Sequence, residues 1–166
     1  MVIHDAVAFV DYWRGVRLRT RRLVLLIPAD RLEWAPAAGR WTLGDLVRHL
    51  GAIERWMYGE NVLGRPSRYP GHGEELASGL DSVLGYLDRM HEESCTIFGG
   101  LTPEQLAGKS LTPAGTSITT YKWLRAMVEH EAHHRGQIQM LLGLAGVRTP
   151  QIFGLTEEEV KARSAS

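Results

Sequence analysis

The sequence has very little cysteine and no excess charge of either sign. One cysteine in 166 residues excludes an internal disulfide framework and any zinc site built from cysteines alone. The 19 Lys and Arg residues balance the 19 Asp and Glu residues, which argues against a dedicated nucleic-acid binder, because such proteins usually carry a basic excess. Because 44% of the residues are apolar, the chain also differs from an acidic disordered protein.

Long apolar runs and targeting segments are absent as well. No stretch approaches the roughly 18 consecutive apolar residues of a membrane-spanning helix. The N-terminus lacks the basic start, apolar region and small-residue cleavage site of a signal peptide. The length is typical of one domain, and no internal repeat is found. We therefore expect a single domain over residues 1–166 of a soluble, cytoplasmic protein, with no membrane or nucleic-acid partner.

Apolar residues recur at helical spacing through almost the whole chain. This spacing predicts four long amphipathic helices, at about 4–27, 42–64, 74–99 and 117–146. Thr42 with Asp45 three residues later resembles a capping box at the start of the second helix. The pattern predicts an all-α four-helix bundle, with a core at about 4–147 and a C-terminal tail at 148–166.

The segments between the long helices contain turn and capping residues. Pro and Gly predict loops at 65–73 and, together with Thr, at 108–117. Thr102-Pro103-Glu104 predicts a short helix, because it combines an N-cap residue, a proline at the first helical position and an acidic first turn. A final short helix is predicted to begin at Thr156. No segment alternates apolar and polar residues for long enough to predict a sheet.

Histidine is the unusual residue of this composition, since three of the seven histidines fall within five positions. In a helix, residues i and i+4 project from nearly the same direction, so His130 and His134 can present their imidazoles to one metal ion. His49 lies on the apolar stripe of the second helix and is a third candidate ligand, although an imidazole there is also typical of a hydrogen-bonded core histidine. Three histidines would leave positions open for water or substrate, as in catalytic metal sites.

Two other interpretations of the late histidine cluster remain open. His133 lies three residues after His130 and is a weaker candidate ligand. The segment 130–134 also matches the H-E-x-x-H pattern of zinc metalloproteases, in which Glu131 would be the general base and Glu157 a third ligand. No strand is predicted that could hold a peptide substrate, and this argues against a protease.

The remaining reactive side chains have less distinctive surroundings. His4, His72 and His91 lie near a terminus, in a loop and in a charged run, so we expect them to be solvated. Cys95 has no recognisable base beside it in the sequence. Several other side chains are candidates to orient ligands or substrate, or to line a pocket: Asp45, Glu129, Arg135, Gln137, Trp41, Trp56, Tyr58 and Trp123.

Two segments carry a resemblance to a known family. Residues 39–50, GRWTLGDLVRHL, resemble the W-S/T…HL segment of DinB-like proteins, and residues 129–137, EHEAHHRGQ, resemble their late-helix H-x-x-H-H-R-G-Q signature. The order and separation of the two motifs also match, over about residues 4–147. The resemblance implies an up-down-down-up four-helix bundle with a long crossover, which is commonly a homodimer. It also implies a divalent metal bound by His49, His130 and His134.

The resemblance suggests three functions. Relatives include mycothiol- and bacillithiol-dependent S-transferases, so the first is a metal-dependent transferase that joins a low-molecular-weight thiol to a small electrophile. The second is a metal-dependent hydrolase of a small ester or amide, and the third is a non-catalytic, metal-binding dimer. Imidazole ligands suit zinc or nickel, which we expect first, with iron or manganese as alternatives. In each enzymatic case the partner is a small-molecule substrate.

Overall fold

A computed structural model describes residues 2–164, and the outermost residues of the predicted domain, 1 and 165–166, lie outside this range. The chain forms four long helices, and a π-helical segment directly follows the second of them. In chain order the elements are α1 (Ala6–Val24), a 3₁₀ turn (Ala29–Arg31), α2 (Leu43–Ile53), the π-helical segment (Glu54–Gly59), α3 (Glu60–Val62), α4 (Leu80–Gly99), α5 (Pro103–Ala107), β1 (Lys109–Leu111), β2 (Ser117–Thr119), α6 (Thr120–Leu144) and α7 (Glu157–Ser164).

The four long helices form a bundle in which α1 and α2 each pack against both α4 and α6. Arg14 pairs with Glu92. Arg21, farther along α1, pairs with Asp88, which lies earlier on α4. The residue numbers run in opposite directions, so α1 and α4 are antiparallel.

Contacts of α2 give the other directions. Gly51 approaches Leu87, and Arg55 pairs with Glu93, so α2 and α4 run parallel. His49 in α2 contacts His130 in the middle of α6, and beyond the end of α2 Tyr58 packs on Trp123 near the start of α6, so these two helices are antiparallel. The topology is therefore up-down-down-up, as the family resemblance implied.

Two parallel consecutive helices require a connection that returns along the bundle, and residues 63–79 provide it. Arg48 of α2 binds this crossover through hydrogen bonds. Its buried guanidinium donates hydrogen bonds to the backbone carbonyl oxygens of His72, at 2.8 Å, and of Ala77, at 3.1 Å. Glu33 accepts two further bonds from the same guanidinium, at 2.8 Å each. The arginine therefore holds the crossover against the first half of α2.

The predicted capping signals are confirmed. Thr42 and Asp45 form a complete capping box at the start of α2. Thr102 and Gln105 form a second one at α5, where Pro103 occupies the first turn. Each box satisfies two backbone N–H groups that would otherwise lack a partner at the helix N-terminus.

Two expectations about secondary structure are wrong. The segment predicted as a loop at 108–117 contains β1, which pairs antiparallel with β2 in the register Lys109↔Thr119. Strands of three residues are too short to show alternation, so the hairpin was not predicted. The third long helix begins at Leu80 rather than at 74, because Gly79 adopts a positive φ of 79° that ends any helix before it.

The bundle interior contains two apolar clusters with polar residues between them along the helices. On α1, for example, Val16 belongs to one cluster and Leu23 to the other. We call the buried polar side chains between the clusters the polar layer; they are Arg17, Thr20, Glu54, His91, Ser94, Glu131, His134 and Arg135. All four long helices or their direct extensions contribute to it. Within residues 2–164, no helix combines the length and apolarity that a bilayer crossing requires.

Candidate metal centre

Three imidazoles converge inside the bundle. Nε2 of His130 lies 3.1 Å from Nε2 of His49 and 3.0 Å from Nε2 of His134. All three nitrogens lie within 4.8 Å of one another. His49 and His134 are buried, and His130 is partly buried. The three residues singled out in the sequence are therefore brought together around one point.

The helix geometry explains this convergence. His130 and His134 lie one turn apart on α6, so their side chains project from the same face. His49 lies 81 residues earlier, on the antiparallel helix α2, and faces them across the interface between the two helices. Two candidate ligands are therefore already neighbours within α6, and the third joins them only when the bundle is packed.

Gln137 fixes the tautomer of one imidazole. Its side-chain oxygen lies 2.6 Å from Nδ1 of His134, and an amide oxygen can only accept a hydrogen bond. Nδ1 of His134 therefore carries the proton, and Nε2 presents its lone pair to the cluster. Metal-bound histidines usually donate their other N–H to an oxygen in this manner.

Tyr69 plays the corresponding role for His49. Its hydroxyl oxygen lies 2.7 Å from Nδ1 of His49 and 3.3 Å from Nδ1 of His72. Burial raises the pKa of Tyr69 to about 12, so the hydroxyl keeps its proton at neutral pH. It can therefore accept from His49 while it donates to His72, which leaves Nε2 of His49 as an acceptor.

The three imidazoles are neutral at physiological pH. Burial and, second, the other imidazoles lower the pKa of His49 to about 3 and that of His130 to about 4. Burial also lowers the pKa of His134. Neutral imidazole is the form that binds a metal, so a cation would not have to compete with a positive charge on any of the three rings.

The donor set fits a divalent cation. Gln137 leaves Nε2 of His134 as a lone-pair atom, and Nε2 of His49 is one as well when the Tyr69 hydroxyl accepts from Nδ1; both atoms face Nε2 of His130. One nitrogen can donate to only one of these two neighbours, so a metal-free cluster leaves at least one close nitrogen pair without a hydrogen bond. A cation would attract all three lone pairs, and three nitrogens of this kind suit zinc, nickel or iron.

A cleft of about 710 Å³ opens beside the cluster. Trp41 lies between part of this cleft and the histidines. Its ring is stacked on His134 at a centroid distance of 5.9 Å, and the centroids of the Trp41 and His72 rings are 4.1 Å apart. The indole is 38% exposed, so its outer face is accessible. The cleft is lined by Pro36, Ala37, Gly39, Arg40, Trp41, Leu46, His134, Gln137, Met140 and Leu141. A small molecule in this cleft would lie directly against His134.

Other predicted site residues lie elsewhere. Glu131 is buried in the polar layer, where its carboxylate lies 3.3 Å from the guanidinium of Arg17, so it is not positioned as a general base at the cluster. Glu157 is exposed on α7, and His133 and Glu129 are exposed on α6. The arrangement therefore does not follow the metalloprotease pattern. Asp45 caps α2 and bonds to Arg48 instead of to a histidine.

Three expectations about side chains outside the cluster are wrong. His91 is buried in the polar layer, where its Nδ1 lies 3.0 Å from Oε1 of Glu54. It is also the base that Cys95 was expected to lack, since its Nε2 lies 3.5 Å from the sulfur. His72 is half-buried between Tyr69 and Trp41. Only His4, among the three histidines expected to be solvated, is exposed.

The sequence did not single out Tyr69 or Arg48. Tyr69 lies in an irregular segment, where no periodicity indicates which side chains face the site. Arg48 could have been found from its position next to His49 in the middle of the second predicted helix, because an arginine that is buried there must have a charged or polar partner.

Comparisons with known proteins agree with this fold. The family model for the DinB superfamily matches residues 12–138. Among curated proteins, the uncharacterized protein YrdA of Bacillus subtilis (strain 168) is 21% identical over 154 residues, which cover 91% of this chain and 89% of YrdA.

Two solved structures are similar across nearly the whole bundle. A DinB-like protein of Bacillus subtilis, YjoA, is 21% identical with a TM-score of 0.73, and the match covers 90% of this chain and 99% of that one. A DinB-like protein of Bacillus cereus ATCC 10987 is 20% identical with a TM-score of 0.69, covering 86% of this chain and 94% of that one. At this level of identity the likeness shows the shared fold.

Proposed function

Because this chain belongs to the DinB superfamily and gathers three neutral histidines beside a cleft, we propose that it is a metal-dependent thiol transferase. In this proposal His49, His130 and His134 bind a divalent metal through Nε2. Zinc or nickel is the expected ion, with iron or manganese as alternatives. The protein transfers a low-molecular-weight thiol, mycothiol or bacillithiol, to a small electrophile.

The observation that carries the proposal is the convergence of the three Nε2 atoms beside an accessible cleft that His134 lines. Three protein ligands leave at least one coordination position for a small molecule. A divalent cation held there would lower the pKa of a coordinated thiol, which makes it a nucleophile near neutral pH.

The residues around the cluster have distinct roles in this proposal. Gln137 and Tyr69 hold two of the ligands in the correct tautomer. Trp41 shields the histidines from water on one side and offers its exposed face to an apolar substrate. Arg40 is the only charged side chain among the described residues that line the cleft, and it would attract an anionic group of the thiol or the electrophile.

The nucleophile must be a diffusible thiol, because the single cysteine is buried away from the cleft lining. In the transfer, the thiol loses its proton to solvent, and its sulfur forms a bond to an electrophilic carbon. The leaving group departs with the electron pair of the bond that breaks. Atoms and charge balance without any oxidant or reductant.

Metal analysis together with turnover assays tests this function. The untagged protein is expected to contain one cluster-bound divalent metal, and to consume mycothiol or bacillithiol when chlorodinitrobenzene is added as a model electrophile. His130→Ala should abolish both properties. The alternative hydrolase would turn over small esters without any thiol, and a non-catalytic metal binder would hold metal but convert neither class of substrate.

The family resemblance also leads us to propose a cytoplasmic homodimer. Sedimentation equilibrium at several concentrations tests the dimer, with a mass of twice 18.5 kDa as the expected result. A mass of 18.5 kDa at all concentrations would contradict it.

A further inference from the structure

A second group of side chains with metal-binding chemistry lies in the polar layer. One oxygen of Glu54, one imidazole nitrogen of His91 and the sulfur of Cys95 lie within 4.8 Å of one another. Nδ1 of His91 is 3.0 Å from Oε1 of Glu54 and 3.9 Å from Sγ of Cys95. None of the three residues is more than 6% exposed.

The local structure places these three groups together. His91 and Cys95 lie one turn apart on α4, so they project from the same face. Glu54 is the first residue of the π-helical segment, whose wider turn interrupts the regular register of α2. Such π-helical turns are rare within α-helices and are frequently found at functional sites.

The distances are close to those of a tetrahedral zinc site. Zinc bonds of about 2.3 Å to sulfur and about 2.0–2.1 Å to nitrogen and oxygen imply ligand separations of about 3.5 Å for nitrogen and sulfur and about 3.4 Å for nitrogen and oxygen. The observed separations from Nδ1 of His91 are 3.9 Å to Sγ and 3.0 Å to Oε1. Sγ lies nearer to the other nitrogen of the ring, at 3.5 Å from Nε2, so the side chains of Cys95 and His91 would have to rotate to bring Sγ and Oε1 around Nδ1 before all three atoms bind one ion.

We propose that Glu54, His91 and Cys95 form a second metal site, which binds a thiophilic divalent cation of the zinc class. This site is separate from the three-histidine cluster and does not depend on the proposed transferase activity. Its mixed oxygen, nitrogen and sulfur ligands distinguish it chemically from a cluster of three imidazoles.

The charges around the proposed site are those of the polar layer. Arg17 pairs with both Glu54 and Glu131, and the buried Arg135 adds a second positive charge near Glu131, so two guanidinium groups face two carboxylates. A divalent ion together with a Cys95 thiolate would add one positive charge, and Glu54 is the carboxylate that would contact it. Arg17 contacts Oε2 of Glu54, and this leaves Oε1, which also accepts from Trp13, on the side of His91.

Metal binding would change the state of the cysteine. In the metal-free protein, burial and the nearby Glu54 carboxylate raise the pKa of Cys95 to about 12, so the sulfur is a thiol at neutral pH. A coordinating thiol is deprotonated by the ion. Cobalt is therefore a suitable probe, because a thiolate bound to Co²⁺ gives an intense near-ultraviolet charge-transfer band that imidazole ligands do not give.

The experiment is a Co²⁺ titration of the metal-free protein in a buffer without added thiols. It is repeated with Co²⁺ present during refolding, so that slow entry into a buried site does not decide the outcome. We expect two Co²⁺ ions per chain and a thiolate-to-cobalt band. Since the chain has one cysteine, any such band belongs to Cys95.

Variants separate the two sites. Cys95→Ser and His91→Ala should lose the band and bind one Co²⁺, while His49→Ala should keep the band and also bind one Co²⁺. The exposed His133→Ala is the matched control and should behave as the wild type. Circular dichroism checks the fold of each variant. Absence of the band from the wild type under both loading conditions, or its presence in folded His91→Ala, would overturn the second site.

Discussion

Gln137 accepts a hydrogen bond from Nδ1 of His134 at a distance of 2.6 Å, within the same helix that carries two of the three clustered histidines. The bond determines which nitrogen of His134 faces the cluster. An uncharged amide thus sets the tautomer of its neighbour, and this gives a direct way to test the proposed metal centre without removing a candidate ligand.

Gln137→Leu is expected to lower the affinity for zinc by about 10–100-fold, because the imidazole of His134 loses the acceptor that orients it. Gln137→Glu is the matched control, since a carboxylate still accepts from Nδ1. Competition with a chromophoric chelator measures both affinities. Wild-type affinity in Gln137→Leu would contradict the role assigned to this residue.

The two adjacent histidines of α6 should behave differently. His134→Ala removes a nitrogen that lies 3.0 Å from Nε2 of His130, so we expect loss of stoichiometric metal at the cluster. His133→Ala alters an exposed side chain and should leave metal content unchanged. Elemental analysis measures the metal content of both untagged variants. Equal metal content in the two would exclude His134 as a ligand.

The stability of the metal-free protein should fall with decreasing pH. The pKa of His49 is lowered to about 3 and that of His130 to about 4, mainly by burial, whereas an unfolded histidine titrates near about 6.5. Between these values the unfolded chain binds more protons than the folded one, so the free energy of unfolding decreases as pH falls through about 6.5 toward 4. Urea midpoints of chelator-treated protein at pH 7 and pH 5 measure the effect.

A control variant assigns this pH dependence. His130→Leu should lose less stability than the wild type between the same two pH values, while His4→Ala, which alters an exposed histidine, should match the wild type. Identical wild-type midpoints at both pH values would show that these imidazoles are not protonated more readily in the unfolded chain.

Close packing of α2 on α4 depends on Gly51. A Cβ at this position would lie 3.2 Å from Cε1 of Tyr86 and 3.4 Å from Cα of Leu87. We expect Gly51→Ala to lower the free energy of unfolding by about 1–3 kcal/mol through overpacking. Gly85→Ala on the exposed face of α4 meets no atom within 4 Å and should stabilise the helix by up to about 1 kcal/mol. Urea denaturation of both variants should therefore give shifts of opposite sign.

Arg48 should be important for stability as well as for the crossover. Arg48→Met leaves the carboxylate of Glu33 and two crossover carbonyls without their partner, at an expected cost of about 3 kcal/mol in unfolding free energy. Arg31→Met removes an exposed ion pair with Asp30 and should change stability by less than about 1 kcal/mol. A similar small effect of both substitutions would mean that the crossover is held by other contacts.

The histidine cluster was predictable because its residues obey helical periodicity. His130 and His134 share a face in any α-helix, and His49 interrupts an apolar stripe that had to face the interior. The four long helices and the capping box of α2 follow from the same local rules, which do not depend on distant parts of the chain.

Residues whose surroundings depend on tertiary structure were not predictable. His91 lies in a charged run, and only the approach of Glu54 from the π-helical segment explains its burial. Tyr69 contacts His49 because Arg48 holds the crossover in place. Both contacts join residues that are at least 20 positions apart in the chain. The hairpin of β1 and β2 depends on pairing between segments too short to show a pattern.

The split of the cluster between two helices has a thermodynamic consequence. An unfolded chain, or α6 alone, offers a cation at most the local pair His130 and His134, whereas the folded bundle adds His49 from 81 residues away. A ligand that binds the native state more tightly than the unfolded one raises the melting temperature in proportion to the logarithm of its concentration. Free metal in the medium would therefore act as a thermal stabiliser of this bundle, and a strong chelator would lower its heat resistance even where no catalysis is measured.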